Sequence, residues 1–435
     1  MDPVMGASVL MIVLLFVLLA SGVWIAVALV AAGAAVFFFY APVDPGQIIA
    51  STIWDASWSW ALTALPLFIW MGEILSRSGL SANLFGGLAP WLRRWPGGLL
   101  HVNVIGCGVM AAVAGSSAVT CATVGRMSIP ELRKRGYNQS MMVGSLAGAG
   151  TFGLLIPPSI IMIVYGVLAQ QSVARLFIAG ILPGLMLIAL YSSYIALWAL
   201  THGKEAVAQV DPPMSFVEKL RRSRDLLPVL LLIVAIIASI YGGLATPTEA
   251  ATIGILGALG LALWNRSLTW AMFMDSLLSA ARISCMIAFI ISSAACLSVA
   301  VGFADIPRAL ANWVQGIGLS TYGLLFVLTI LFLLVGCVLE GISILVLSSS
   351  VVLPMIVAAG IDPLWFGIYA VIVIECAQIT PPVGFNLIII KSMTGMGIWQ
   401  ITRAALPFLG LLLFAIVLIT VFPEIVTFLP DLMSN

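Results

Sequence analysis

The chain has 435 residues, of which 62% are apolar and 8% charged, with a formal net charge of +1. Its mean hydropathy of +1.18 makes bilayer hydrocarbon the solvent for most of its surface. That composition excludes a soluble enzyme, and the near-neutral balance points to no nucleic-acid partner.

A span needs about 20 apolar residues. The N-terminus opens with Asp2 and lacks a basic region, which argues for a retained first helix rather than a cleaved signal. Spans are expected at about 7–22, 23–40 and 57–78, followed by an amphipathic stretch at 79–95 that lies along the interface or braces a scaffold. Next comes an apolar segment, 99–129, split by Gly115-Ser116-Ser117, and then spans at 139–169 and 175–201. The stretch 203–225 carries Lys204, Glu205, Pro212, Pro213 and an Arg221-Arg222-Ser223-Arg224 cluster, and reads as a solvated cytoplasmic connector. Windows at 231–246, 247–264 and 281–302, an amphipathic stretch at 303–319, a split segment at 323–353, and spans at 363–393 and 399–425 complete the chain.

The second series repeats the first. Pro130, Pro157, Pro158 and Pro183 recur 224 positions on as Pro354, Pro381, Pro382 and Pro407, and Gly136 recurs as Gly360. Each proline removes a backbone donor and distorts a helix, so a shared register of breaks marks an internal duplication. The organisation expected is a first repeat over 1–202 with scaffold helices at about 1–95, a connector, and a second repeat over 226–435.

Charge decides the orientation of the copies. Arg126, Arg133, Lys134 and Arg135 follow the first split segment, whereas the matching stretch 354–362 has no Lys or Arg. Equivalent loops on opposite sides make the repeats inverted, each split segment a re-entrant hairpin, and both termini periplasmic. The fold class expected is an all-α polytopic membrane protein of two inverted repeats, each with a re-entrant hairpin and a broken helix. Trp54, Trp58, Trp91, Trp95, Trp264, Trp270, Trp313, Trp365 and Trp399 suit an interfacial belt. The six cysteines, Cys107, Cys121, Cys285, Cys296, Cys337 and Cys376, lack metal-ligand spacing and read as small buried residues.

Breaks in hydrocarbon leave backbone groups that protein, water or an ion must satisfy. They come here in two matched sets: 115–120 with 148–159, and 336–343 with 377–386. Each set offers freed carbonyls for a hard cation such as sodium, and half-helix N-termini for an anionic solute. Ser117 joins the ion set, while Ser116, Thr120, Ser159, Glu340, Ser343 and Asn386 are assigned to the solute. Ionisable residues inside spans are functional by default. Glu340 is linked to coupling or gating because it stands opposite Ser116 in the repeat. Glu375 reads equally as a coupling group or as an outward-lying or scaffold-paired carboxylate, Glu73 as structural, and His101 and His202 as interfacial. HExxH, GxSxG and Walker signatures are absent, so an ion gradient rather than ATP would drive any transport.

At these residues the chain resembles the large membrane subunit, DctM, of tripartite ATP-independent periplasmic (TRAP) transporters. The segments that carry the resemblance include Gly115-Ser116-Ser117-Ala118-Val119-Thr120, Ile156-Pro157-Pro158-Ser159, Leu182-Pro183-Gly184, Ala245-Thr246-Pro247-Thr248-Glu249 and Ile379-Thr380-Pro381-Pro382-Val383-Gly384. The resemblance implies a bacterial inner-membrane secondary transporter with an elevator mechanism and no cofactor besides sodium as coupling ion. It also implies a small four-span membrane subunit and a periplasmic solute-binding protein as partners, with a small organic anion as solute. Carried over, the sodium ligands are backbone carbonyls near Gly115, Gly153, Ile156 and Pro158, and near Gly336, Ala377, Thr380 and Val383. A self-sufficient sodium- or proton-coupled symporter, and a channel or scaffold, are the alternatives.

Overall fold

A computed structural model describes residues 3–40, 44–78, 80–202, 214–224, 226–309, 320–337, 339–381 and 384–433. Among these no strand forms, in keeping with a solvent in which each backbone polar group must be paired inside its own segment. Six of the described helices are long and apolar enough to cross a bilayer, or up to eight when each bent pair is one span.

The first half opens with α1 (Pro3–Ala20) and α2 (Ile25–Tyr40), then α3 (Pro45–Ser57) and α4 (Trp60–Arg77), which meet at a 56° bend. Helix α3 was not among the windows expected from hydropathy. It forms because Asp44 caps it, accepting the Gly46 N–H at 2.9 Å, with Pro45 in its first turn. After α5 (Leu80–Leu92) come α6 (Leu100–Ala114), α7 (Ser117–Lys134), α8 (Gln139–Gly150), a 3₁₀ turn at Thr151–Leu154, α9 (Ile160–Leu168) and α10 (Val173–His202). The connector holds a short helix, α11 (Phe216–Ser223), capped by Ser215 and docked on α5. There the Trp91 indole donates to Ser223 Oγ at 2.7 Å, and that hydroxyl donates to the Gly87 carbonyl at 2.8 Å.

The second half runs through α12 (Leu227–Tyr241), α13 (Pro247–Trp264), α14 (Trp270–Phe303), α15 (Thr321–Gly336), α16 (Gly341–Ala358), α17 (Pro363–Gln378), α18 (Phe385–Thr394), α19 (Ile398–Val421) and α20 (Glu424–Leu432). The bounds of α7, displaced by 224, are those of α16. Continuous α14 occupies the register of α3 and α4 together. It begins at Trp270 rather than near 281, because no glycine or proline interrupts 270–280 and Thr269 Oγ1 accepts the Met272 N–H at 3.1 Å.

Two groups of helices form. In one, α2 and α4 pack on α14, and α12 and α4 pack on α13. Trp70 Nε1 donates to Ser276 Oγ at 3.2 Å, and Ser57 and Ser292 share a 3.2 Å hydroxyl contact. In the other, α8 lies between α6, α7 and α19, α18 packs on α7, and every residue of α17 from Leu364 to Gln378 is buried. Gly144 and Gly148 bring α8 against the Ala404 backbone and the Phe408 ring of α19. The groups meet where α4 and α14 face α6, α9 and α16.

Burial corrects three assignments. Trp365 does not belong to an interfacial belt: it starts the buried α17, stacks on Tyr369, and donates to the Ile419 carbonyl at 3.1 Å. Of the other tryptophans assigned to the belt, Trp54, Trp58, Trp91, Trp95, Trp264, Trp270 and Trp399 are exposed, and Trp313 lies outside the described residues. His101 is fully buried, held by the Pro96 carbonyl at 2.7 Å, because the turn before α6 folds over it. Cys285 is exposed on the outer stripe of α14, whereas Cys107, Cys121, Cys296 and Cys376 are buried.

Candidate functional site

The first hairpin turns at Gly115, whose left-handed conformation (φ 59°) ends α6 with its N–H on the Ala111 carbonyl. Ser116 is extended and starts α7. This tip sits in the first helix break. A side chain at Gly153 would run into the Ser116 backbone, and a Cβ at Gly115 would stand 2.9 Å from the Pro158 carbonyl. The Ile160 N–H reaches the Gly115 carbonyl at 3.4 Å. The break passes through Ile156 and a cis Pro157-Pro158 bond, then Ser159, whose hydroxyl donates to the Leu154 carbonyl.

The second tip repeats the arrangement. Gly336 ends α15 against the Ala377 methyl group, and Cys337 Sγ lies 3.1 Å from the Pro381 carbonyl in the second break. Glu340 is the N-cap residue of α16 and accepts from Ser343 Oγ at 3.4 Å. Thr380 turns its hydroxyl back to the Cys376 carbonyl at 2.7 Å. Val383, assigned to the ion set, lies outside the described residues.

The half-sites also touch each other. Ser117 Oγ donates to Asn386 Oδ1 at 3.0 Å, both residues buried, joining the first tip to the helix after the second break. Gly341 of the second tip lies against Ile374, Leu154 and Ile161.

Between the tips lies a cavity of about 250 Å³. The first turns of α7, α9, α16 and α18 all contribute to its wall, through Ser117 to Val119, Ile160 and Ile161, Gly341 and Ile342, and Phe385. Four helix N-termini around one space favour a negative group there. Much of the lining is paired at the 224-residue spacing: Ser116 with Glu340, Ser117 with Gly341, Ala118 with Ile342, Leu154 with Gln378, and Ile161 with Phe385. The far wall comes from α4 and α14, with Ile69, Gly72, Glu73, Ser76, Ile283 and Met286.

Of the residues assigned from sequence, Gly115, Ser116, Ser117 and Glu340 line this cavity. Gly153, Pro158, Gly336 and Ala377 form the contacts between tips and breaks behind it, with Ile156 in the first break and Thr380 bonded back to Cys376 in the second. Thr120, Ser159, Ser343 and Asn386 stand one layer back, and the Ser159 hydroxyl is engaged by Leu154. Sequence reasoning missed Gln378 and Leu154, which the 224-residue register pairs with each other. It also missed the α4 and α14 wall, whose residues carry no local signal. Glu73, read as packed structurally, instead lines the cavity and holds Arg77 of its own helix at 2.9 Å. Glu375 is fully buried away from that lining, which removes the outward-lying reading.

Helices long and apolar enough to span a bilayer, holding a cavity between two helix breaks, are the architecture that a membrane permease needs. Residues 12–425 match the family described as "Tripartite ATP-independent periplasmic transporter, DctM component", and the chain belongs to that family. Among its relatives is the C4-dicarboxylate TRAP transporter large permease protein DctM of Pseudomonas aeruginosa, 34% identical over 92% of each chain. Another is the ectoine/5-hydroxyectoine TRAP transporter large permease protein UehC of Ruegeria pomeroyi, 31% identical over 86% of each chain. The fold is shared with the YdaH transporter of Alcanivorax borkumensis at a TM-score of 0.63 and 14% identity, covering 86% of this chain and 87% of that one. The chain is thus a multi-pass inner-membrane permease component.

Proposed function

We propose that this permease takes up a small organic anion together with sodium ions. The solute is delivered by a periplasmic solute-binding protein, a small four-span membrane subunit stands beside the chain, and both termini face the periplasm. The observation that carries the reading is the convergence of four helix N-termini and two hairpin tips on one cavity. Relatives named for a C4-dicarboxylate and for ectoine support a carboxylate-bearing solute. Sodium fits the residues present, since hard oxygen donors crowd both breaks. The Ser116 and Pro158 carbonyls face Gly153 and Gly115, and the Thr380 carbonyl lies 2.9 Å from where a Cβ on Gly384 would stand. An elevator movement would carry the tips and breaks as one unit past α4 and α14, the wall against which they pack.

Proteoliposomes containing this chain, the small subunit and the binding protein test the reading. Solute accumulation driven by a sodium gradient, and absent without the binding protein, is expected. Transport by the chain alone would make it a self-sufficient symporter, and conductance without bound solute would make it a channel.

Two sets of variants probe the site. Ser117→Ala removes the hydrogen bond to Asn386 and leaves a buried acceptor unpaired, a loss of about 1–3 kcal/mol. It and Thr380→Ala are expected to raise the sodium concentration for half-maximal uptake roughly tenfold while leaving insertion intact. Sodium titrations that superpose on wild type would remove both from the ion set. Glu340→Gln keeps the cap geometry without the charge and is expected to change the coupling ratio or rate. Identical kinetics from pH 6 to 8, a window of about two units around neutrality, would make this carboxyl structural.

A further inference from the structure

Gln378 is the last residue of α17, only 4% exposed, and lines the cavity. Its carboxamide nitrogen has no hydrogen-bond partner. A buried donor left unpaired is destabilising unless a ligand or water completes it. The same register position in the first repeat is Leu154, which lines the same cavity from the other side. The repeat thus places an apolar side chain on one side of the cavity and a carboxamide on the other.

The remaining polar groups around the cavity sharpen the assignment. Glu340 faces it from the second tip, and Glu73, paired with Arg77, faces it from α4. Among the described residues no cationic side chain lines it. An anion there depends on neutral donors: the first-turn amides of the four helices and the Gln378 amide. Asn386 Nδ2, one layer behind Phe385, is a second buried donor without a partner.

Resting on the anion-uptake reading above, we infer that Gln378 is a specificity-determining residue that donates a hydrogen bond to the carboxylate or sulfonate of the solute. Leu154, Ile160 and Ile161 receive the hydrocarbon part. The duplicated cavity is thereby polarised, with an oxyanion end at the second break and an apolar end at the first.

The test uses the full chain in lipid nanodiscs, its thermal stability titrated with succinate and with isethionate at fixed sodium. Wild type is expected to be stabilised by at least one of the two. Gln378→Leu, which installs the residue of the first repeat, is expected to bind that anion about tenfold more weakly. Its stabilisation by sodium alone should persist. Gln378→Glu is expected to weaken binding further, since a carboxylate would face the oxyanion. Equal affinity in wild type and Gln378→Leu overturns the inference and leaves the uptake reading standing. If neither anion stabilises wild type at any sodium concentration, the cavity reading falls and the inference with it.

Discussion

Replacing Gly153 by alanine is expected to reduce sodium-dependent solute uptake by one to two orders of magnitude while the chain still reaches the membrane. The added methyl group would occupy space held by the Ser116 carbonyl group and the Ser117 amide, which are backbone and cannot rotate away. The tip must then lift out of the break. Overpacking of this kind costs about 1–3 kcal/mol, and here the displaced atoms are the ones proposed to hold the first ion. Initial uptake rates in proteoliposomes, normalised to the amount of inserted protein, measure the effect. Wild-type rates and sodium dependence in Gly153→Ala would show that the seating of the tip does not matter to transport.

The second large effect concerns assembly. Helix α8 approaches α19 at Gly144, where a Cβ would land on the Ala404 carbonyl and crowd the Phe408 ring. Gly144→Val is expected to lower the melting temperature in detergent by several degrees or to prevent recovery of folded protein, from a loss of about 3 kcal/mol. Gly410, also in α19, has open space around it. Gly410→Ala is the matched control and is expected to melt as wild type. Equal melting of both variants would mean that α8 and α19 do not pack as closely as this.

Different parts of the molecule were legible to different degrees. Breaks announce themselves locally, because proline and glycine change the backbone wherever they stand, and the double prolines at 157–158 and 381–382 mark them. Helix α3 was not legible from hydropathy, since its thirteen residues mix Gln47, Ser51, Thr52 and Asp55 with apolar ones and bury none of them. Its signal was the Asp44-Pro45 start. Trp365 shows the opposite failure. A tryptophan near a span end reads as interfacial, yet α19 covers this one and supplies a carbonyl to its indole.

The candidate site divides in the same way. Sequence alone determined that the chain is a duplicated membrane protein and where its helices break. Period, hydropathy and proline are properties of neighbouring residues and of a fixed spacing, and need no knowledge of folding partners. Only the tertiary structure decided that the first tip reaches the helix after the second break through Ser117 and Asn386, 269 positions apart. It also decided that Glu73 and Met286 wall the cavity, and that Gln378 lines it while Thr120 and Ser159 do not. Which side chains share a space depends on how helices from both halves pack, and packing is settled by the close approach of backbones at positions such as Gly144 and Gly153. A one-dimensional pattern states that such glycines exist, but which surface each must admit is defined only by the folded partner.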